Sequence, residues 1–419
     1  MPQFSLKDKF GSSHIERYAI FLLSMLLFGL AGGLFRGVQD NYLAWIGIGK
    51  AGRGVVEFFR ELPGLLLFIL LAPFYRMAER NIIRIALSIS VIGVLGIIFL
   101  GTSAVPTVFF LTIWSTGEHL IMPVRRSYAI HSADPGKEGR ALGFLKGVEN
   151  AGQLLGLALV PLVFLLPKVR VDRDDGGRLG FVIILALAAV VVFFAVMAAM
   201  GMSRSSGNLE RKRLYFRRKF SRYYGLEMFY GARKQVFLTF GPYLLILRYG
   251  VQTEYLAALL GISALINIFL NPVIGRIIDR WGYRTVMIGD TVILFFVCLL
   301  YGFAHRLFSE STALIVVSVV FILDWMISNA SMASSIYVNH ISDNREEVTA
   351  TLSTGISINH LISVSIALVG GLIWESLGVE LLFVLAALMA VGNTLFAMSI
   401  PRRVSSSGSV GESAAGTGG

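Results

Sequence analysis

The sequence is poor in charge and in cysteine. Only 15% of its 419 residues are charged, whereas a soluble protein of this length carries roughly 25%. The single cysteine, Cys298, lies inside an apolar segment, so an intramolecular disulfide framework is excluded. Apolar residues make up 55% of the chain. This composition overrides the two or three soluble domains that the length would suggest, and it predicts an integral membrane protein.

Signatures of enzymes and of secretion are also missing. There is no P-loop, which argues against ATP hydrolysis by this chain. The six histidines form neither an H-x-x-x-H nor an H-E-x-x-H pattern. The first apolar run, from Tyr18, is too long for a signal peptide and has no A-x-A-like cleavage site. We therefore expect no enzymatic activity, no cofactor and no metal site.

What is present is a series of apolar runs, each near the 20 residues that a helix needs to cross a bilayer. The runs are continuous and do not alternate as barrel strands do, which favours helices. The sequence predicts an all-α membrane protein with twelve transmembrane helices, here called spans 1 to 12. They are 17–46, 52–73, 81–101, 104–128, 140–166, 179–202, 223–248, 254–278, 283–304, 311–337, 346–373 and 378–400.

Basic residues set the expected orientation. The net charge is +11, and the lysines and arginines cluster in short loops that fall on one side of the membrane. The main clusters lie at 76–84, 125–140, 204–222, 276–284 and 402–403. The positive-inside rule then places both termini in the cytoplasm, in a multi-pass protein of the inner membrane, with a milder basic cluster at 168–178 on the far side. The same rule explains the basic charge without nucleic-acid binding.

A repeat divides the chain into two halves. Tyr128-x-x-His131-x-x-Asp134 recurs as Tyr337-x-x-His340-x-x-Asp343 after 209 residues, and Asn150 and Asn359 keep that offset. Such a repeat predicts two pseudo-symmetric six-helix bundles around a central pathway. The repeated Tyr and His are either structural anchors at the membrane interface or groups that handle protons. We expect a cytoplasmic segment at 1–16, a bundle at 17–202, a basic linker at 203–222, a second bundle at 223–401 and a disordered tail at 402–419.

A loop motif carries a family resemblance. Gly275-x-x-x-Asp279-Arg280-x-Gly282-x-Arg284, between spans 8 and 9, resembles the loop signature of the major facilitator superfamily. The equivalent loop of the first half retains only Glu79, Arg80 and Arg84. The resemblance covers nearly the whole chain as topology and implies a secondary transporter. In that family spans 1, 4, 7 and 10 line the cavity, spans 2, 5, 8 and 11 flank it, and spans 3, 6, 9 and 12 face lipid.

The same loops suggest gating elements. Gly275 is expected to allow close helix contact and Gly282 a tight turn. Pseudo-symmetry predicts that Asp279 latches to the start of span 5 at Asp134-Pro135, and Glu79 to the start of span 11, where Asp343 and Glu346 resemble a capping box. The alternative is a set of ordinary polar turns. The gating candidates are Glu79, Arg80, Arg84, Asp134, Gly275, Asp279, Arg280, Gly282, Arg284 and Asp343.

Charges inside the spans are the main site candidates. Each costs about 2.5–3.5 kcal/mol at the bilayer centre unless it faces a partner or a water-filled cavity. They fall almost wholly in the eight cavity-lining and flanking spans, with Asp290 in span 9 as the exception. The substrate-contact candidates are Arg36, Asp40, Glu57, Arg60, Lys146, Glu149, Asn150, Arg233, Lys234, Asp324 and Asn359. Long side chains such as Arg53, Arg125, Arg126 and Glu227 have the alternative of interfacial depth.

The predicted function is alternating-access transport of a small polar solute, anionic or zwitterionic, coupled to protons. The proton-coupling candidates are Asp40, Glu57, Glu118, Glu149 and Asp324, because low dielectric favours a neutral carboxylic acid. The glycines of spans 1 and 5 would let these helices rock. We expect a monomer whose partners are the solute, H⁺ and membrane lipid. The alternatives are an efflux antiporter, weakened because Pro161 is not adjacent to Gly156, and a non-transporting receptor or scaffold.

Overall fold

The computed structural model describes residues 12–74, 76–133, 138–174, 178–203, 215–328 and 332–401. All regular structure in these residues is helical. The α-helices are α1 Ser12–Trp45, α2 Lys50–Leu65, α3 Leu67–Leu71, α4 Glu79–Leu100, α5 Ala104–His131, α6 Glu138–Phe164, α7 Pro167–Asp174, α8 Leu179–Met200, α9 Ser221–Tyr249, α10 Thr253–Trp281, α11 Tyr283–Leu307, α12 Glu310–Ile327, α13 Met332–Ile341, α14 Arg345–Leu377 and α15 Val379–Met398.

These helices correspond to the twelve expected spans. Span 2 consists of α2 and α3, which are separated at Leu66 shortly after Pro63. Span 10 consists of α12 and α13. The short helix α7, between spans 5 and 6, was not expected. The all-α fold of twelve membrane helices in two bundles is therefore confirmed.

Nine of the spans are long and apolar enough to cross a membrane by length and composition, counted over the described part of the chain. Spans 2, 4 and 7 do not qualify. Each of them carries charged residues, and span 2 is also divided into helices of 16 and 5 residues.

Glycines set the close packing of spans 1 and 5. A Cβ on Gly33 would lie 2.2 Å from the Gln153 carbonyl oxygen, and one on Gly156 would lie 2.2 Å from the Leu30 carbonyl oxygen. A side chain at either position would hold the two backbones apart. This contact fixes which face of span 5 turns toward the interior of the molecule.

The two halves meet near the end of the molecule away from the termini. Tyr243 of span 7 donates a hydrogen bond to the Ile48 carbonyl at 2.5 Å, and the Asn41 amide donates to the Val251 carbonyl at 2.9 Å. A Cβ on Gly54 of span 2 would lie 2.3 Å from the Ala367 carbonyl oxygen of span 11. Close backbone packing therefore joins the halves at this end.

At the opposite end, one arginine in each half caps a helix of its own half. Arg84 donates to the carbonyls of Ala199 and Met200 at 2.9 and 2.7 Å, at the end of span 6. Arg284 donates to the Met398 carbonyl at 2.6 Å, at the end of span 12. A cation at a helix carboxyl end satisfies free carbonyls and complements the helix dipole. The two motif loops thus have the same structural duty.

The glycines of the motif differ in role. Gly282, between spans 8 and 9, has φ +80° and ψ 151°, a conformation that favours glycine, so the expected tight turn is confirmed. A Cβ on Gly275 would meet nothing within 4 Å. The expectation that Gly275 allows a close helix contact is therefore wrong in this conformation.

The start of span 11 is capped one residue later than expected. The Asn344 side chain accepts from the Glu347 amide at 2.8 Å, and the Glu347 carboxylate accepts from the Asp343 amide at 2.8 Å. The capping pair is Asn344 and Glu347, and not Asp343 and Glu346. Asp343 and Glu347 also pair with Lys219 of the linker at 2.8 and 2.6 Å, which attaches the linker to this corner.

Candidate functional site: a charged cavity between the halves

A central cavity of about 420 Å³ lies between the two halves. Ten of the eleven predicted substrate-contact residues line it, as do all five predicted proton-coupling residues. The polar stripe of span 5 faces it completely, with Lys146, Glu149, Asn150 and Gln153 in the lining. The lining residues from the predicted sets are Arg36, Asp40, Glu57, Arg60, Glu118, Lys146, Glu149, Asn150, Arg233, Lys234 and Asp324.

Spans 1 and 2 carry a continuous ion-pair chain. Arg53 contacts Asp40 at 2.9 Å and Glu57 at 2.8 Å. Arg60 contacts Glu57 at 2.5 Å and Glu61 at 2.6 Å. Arg53 is only 2% exposed, so its side chain is buried against these partners and does not extend to solvent. The Arg53–Asp40 contact joins span 2 to span 1, whereas the other three contacts lie within span 2.

Span 4 is joined to span 5 by a second ion pair, between Arg125 and Glu149 at 3.0 Å. The facing atoms, Arg125 Nε and Glu149 Oε1, do not meet the geometry of a hydrogen bond. The contact is therefore electrostatic and weakly directional. Arg125 also lines the cavity.

The C-terminal half contributes a buried triad. Arg233 of span 7 lies 3.2 Å from Asp290 of span 9 and 3.2 Å from Asp324 of span 10. Asp290 was the one charge outside the expected cavity spans. The triad explains it, because Asp290 supplies the second counter-charge of a guanidinium that is only 3% exposed.

Four charged groups of the cavity remain without an ion-pair partner among the described residues. The cations Arg36, Lys146 and Lys234 come from spans 1, 5 and 7, and the carboxylate Glu118 comes from span 4. None of the four is fully buried. The free charge of the cavity is thus mainly cationic, and both halves contribute to it.

Asn359 is the predicted contact that does not line the cavity. Its side chain hydrogen-bonds to the carboxylate of Glu227, which also accepts from Ser334 at 3.3 Å. Asn359 follows Asn150 by the 209-residue offset of the repeat, which predicted that the two side chains would occupy equivalent positions. The halves differ here because span 7 presents Glu227 to span 11, so Asn359 serves a helix contact.

The gating candidates lie at the terminal end, outside the cavity. Glu79 is fully buried and lies 3.0 Å from His131 of the same half, so it contacts span 4 and not span 11 as expected. Arg80 reaches the Met202 carbonyl at 3.4 Å. Asp279 and Arg280 are exposed. Asp134, the expected partner of Asp279, lies outside the described residues, so that latch stays a prediction.

The two copies of the repeat are not equivalent in their contacts. Tyr128 and Tyr337 are both 2% exposed, which supports an anchoring role. His131 faces Glu79, whereas His340 is exposed beside the ring of Tyr283. The repeat therefore preserves the buried tyrosines better than the histidines.

Three neighbouring residues were not among the predicted site residues. Glu61, His119 and His360 are all buried, and each offers one ligand atom within 4.8 Å of the others. The expectation of no metal-ligating cluster rested on local spacing. It missed these residues because they come from spans 2, 4 and 11, and no short motif joins them.

A polar cavity between two six-helix bundles that contact each other beyond it defines the class of secondary transporters. Solved structures with this fold include nucleoside transporter NupG, with TM-score 0.70 at 14% identity over 91% of this chain and 98% of that chain. A D-xylose–proton symporter gives TM-score 0.70 at 14% identity over 92% and 97%. The inward-open xylose transporter XylE from E. coli gives TM-score 0.70 at 14% identity over 94% and 98%.

Comparison with family models gives a family assignment. The model of the Major Facilitator Superfamily matches residues 62–344 and 223–417. No curated protein matches the chain with significant similarity. The chain belongs to the major facilitator superfamily, and it is a multi-pass membrane protein with a transporter fold.

Proposed function

We propose that this protein is a proton-coupled secondary transporter for a small polar solute that carries an anionic group. The observation that carries the proposal is the set of cavity cations without an ion-pair partner in the described part of the chain, Arg36 and Lys146 from one half and Lys234 from the other. The similarity of the fold to a nucleoside transporter and to a D-xylose–proton symporter supports a small polar solute. The symporter also supports the use of protons.

The position of the cations suggests how the solute is held. An anionic group of the solute that contacts cations of both halves stabilises the conformation in which both halves lie close to the solute. The polar side chains of span 5, Asn150 and Gln153, are available for hydrogen bonds to the rest of the solute. A solute bound in this way couples its occupancy to the relative position of the two bundles, which is the requirement for alternating access.

Glu149 is the proposed proton carrier. Its only ion-pair partner in the described residues is Arg125, and the contact is not a well-directed hydrogen bond. An anionic solute that approaches Arg125 competes with Glu149 for that charge. The carboxylate then loses its counter-ion, and a proton is the cation that can take the place of Arg125. Solute binding and proton uptake are thereby linked, and the two would move together.

The membrane arrangement is part of the proposal. The predicted divisions at 17–202 and 223–401, joined by the basic linker, place both termini on the cytoplasmic side of the inner membrane. The contacts between the halves at Ile48 and Val251 then close the cavity from the outside. We further propose that the protein works as a monomer, since each chain contains both halves of the cavity.

The test begins with a ligand-stabilisation screen of organic acids, amino acids and phosphorylated solutes on the purified protein. The best stabiliser is then used in proteoliposome flux with and without a pH gradient. We expect gradient-driven accumulation by the native protein. The Glu149→Gln variant should lose accumulation while it retains exchange of solute for solute, because a neutral side chain cannot carry the proton.

Glu375→Gln, an exposed carboxylate at the end of span 11, is the matched control and should transport normally. Intact coupled flux in Glu149→Gln would remove Glu149 from the coupling role. Ligand binding without any flux would favour a receptor over a transporter. Outward accumulation driven by the opposite gradient would favour an efflux antiporter.

A further inference from the structure

The cluster of Glu61, His119 and His360 has the chemistry of a transition-metal site. Two imidazole nitrogens and one carboxylate oxygen are a ligand set that binds Zn²⁺ and similar divalent ions. The three ligand atoms lie within 4.8 Å of one another, and all three residues are buried. Tetrahedral ligands with bonds of 2.0–2.2 Å stand about 3.4 Å apart, so small side-chain rotations bring them into range.

The hydrogen bonds around His119 hold it in the form that a metal requires. Its Nδ1 lies 2.9 Å from the Ser115 carbonyl oxygen, which can only accept, so Nδ1 carries the hydrogen. The second nitrogen, Nε2, therefore has a free lone pair. A backbone carbonyl that orients the other ring nitrogen is the usual support of a metal-binding histidine.

His360 and Glu61 complete the set from opposite halves. His360 Nδ1 lies 3.0 Å from Glu61 Oε2, close to the separation of two ligands of one ion. An ion that takes the place of the shared hydrogen is bound by Nδ1 and Oε2, while His360 Nε2 carries the hydrogen. Glu61 Oε1 is held at 2.6 Å by Arg60, which leaves Oε2 as the oxygen for a metal. The rings of His119 and His360 lie 5.3 Å apart between centroids.

The backbone and the charge around the cluster both bear on ion binding. Gly64 lies directly against both rings, since a Cβ there would lie 2.7 Å from His119 Nε2 and 2.8 Å from His360 Cε1. Glycine at this position lets span 2 approach the two imidazoles, so that Glu61 can reach them. The adjoining ion-pair chain contains three carboxylates, Asp40, Glu57 and Glu61, and two arginines. Its formal charge is negative, which offsets part of the charge of a dication.

We propose that Glu61, His119 and His360 form a binding site for a divalent transition-metal ion, of the Zn²⁺ or Ni²⁺ class, that bridges the two halves of the transporter. Glu61 and His119 belong to the N-terminal half and His360 to the C-terminal half. An ion held by both halves opposes their separation at this point, so it stabilises the conformation described here.

The test is isothermal titration calorimetry of Zn²⁺ and of Ni²⁺ into the purified full chain without a polyhistidine tag. We expect one ion per chain, and at least a tenfold weaker affinity in His119→Ala and in His360→Ala. His340→Ala, an exposed histidine of the same chain, is the matched control and should bind as the native protein does. The measurement needs no solute, so it stands apart from the test of transport.

A second substitution separates ligand loss from misfolding. His360→Cys removes the same imidazole but supplies a thiolate, which is a zinc ligand. Zn²⁺ binding should therefore survive in His360→Cys and be lost in His360→Ala. Equal affinity in the native protein and both alanine variants would overturn the proposal. Loss of Zn²⁺ binding in the cysteine and alanine variants alike would overturn it too, because the histidine would then act only in packing. Absence of binding by the native protein would have the same consequence.

Discussion

Replacement of Arg233 by methionine tests the buried triad of the C-terminal half. The guanidinium is 3% exposed and lies 3.2 Å from both Asp290 and Asp324. Unit charges about 4 Å apart interact by about 4 kcal/mol at an effective dielectric of 20. Much of that attraction offsets desolvation of the three groups. Removal of one partner from a buried pair is nevertheless costly, typically about 3–5 kcal/mol, because the remaining charge is left uncompensated.

Thermal unfolding of the purified protein in detergent measures the effect. At about 2–4 °C per kcal/mol, Arg233→Met should lower the apparent Tm by roughly 6–20 °C. Arg248→Met, an exposed arginine of the same helix, is the matched control and should change stability by less than about 0.5 kcal/mol.

A triple variant isolates the cause. Arg233→Met combined with Asp290→Asn and Asp324→Asn leaves no uncompensated charge and should recover most of the lost Tm, since replacement of a whole buried ion pair is often nearly neutral. An Arg233→Met protein as stable as the Arg248→Met control would refute the reasoning. A triple variant no more stable than the single one would show that side-chain packing, and not charge, determines the loss.

Two further predictions concern turns and caps, and the same thermal assay measures both. Gly282→Ala should lower the free energy of unfolding by about 1–3 kcal/mol, because its φ of +80° and ψ of 151° suit only glycine. Gly275→Ala should be neutral or slightly stabilising, because its Cβ meets open space inside a helix. Equal effects of the two substitutions would contradict the assignment of the turn to Gly282. Asn344→Ala should lower the free energy of unfolding by about 1 kcal/mol through loss of the cap on span 11. A larger loss from Asp343→Ala would indicate that Asp343, and not Asn344, caps the helix.

The architecture was predictable because it depends on local and additive properties. Length of apolar run, basic loops and an offset of 209 residues are each visible in one sequence. The polar stripe of span 5 was predictable for the same reason, since residues three and four apart share a helix face. Lys146 and Glu149 line the cavity as that periodicity predicts.

Pairings between helices were not predictable in this way. Which carboxylate meets Arg233, and whether Arg53 lies in the interior or at the interface, depends on the rotation of each helix about its axis. Close glycine contacts such as Gly33 against span 5 set that rotation, and the position of a glycine in the sequence does not tell which helix it meets. The cluster of Glu61 and His360 is the extreme case, because its residues are 299 positions apart and belong to different halves.

The two halves are most alike where the protein needs a frame and least alike where it holds charge. Arg84 and Arg284 cap the last helices of their halves in the same way, and the buried tyrosines of the repeat are retained in both. In the cavity, the N-terminal half has a chain of arginines and carboxylates, whereas the C-terminal half has the Arg233 triad. A solute without two-fold symmetry needs different groups on its two sides, and duplicated halves can provide them only by divergence. Unmatched polar positions in a duplicated transporter are therefore the better guide to its binding site, and matched ones to its scaffold.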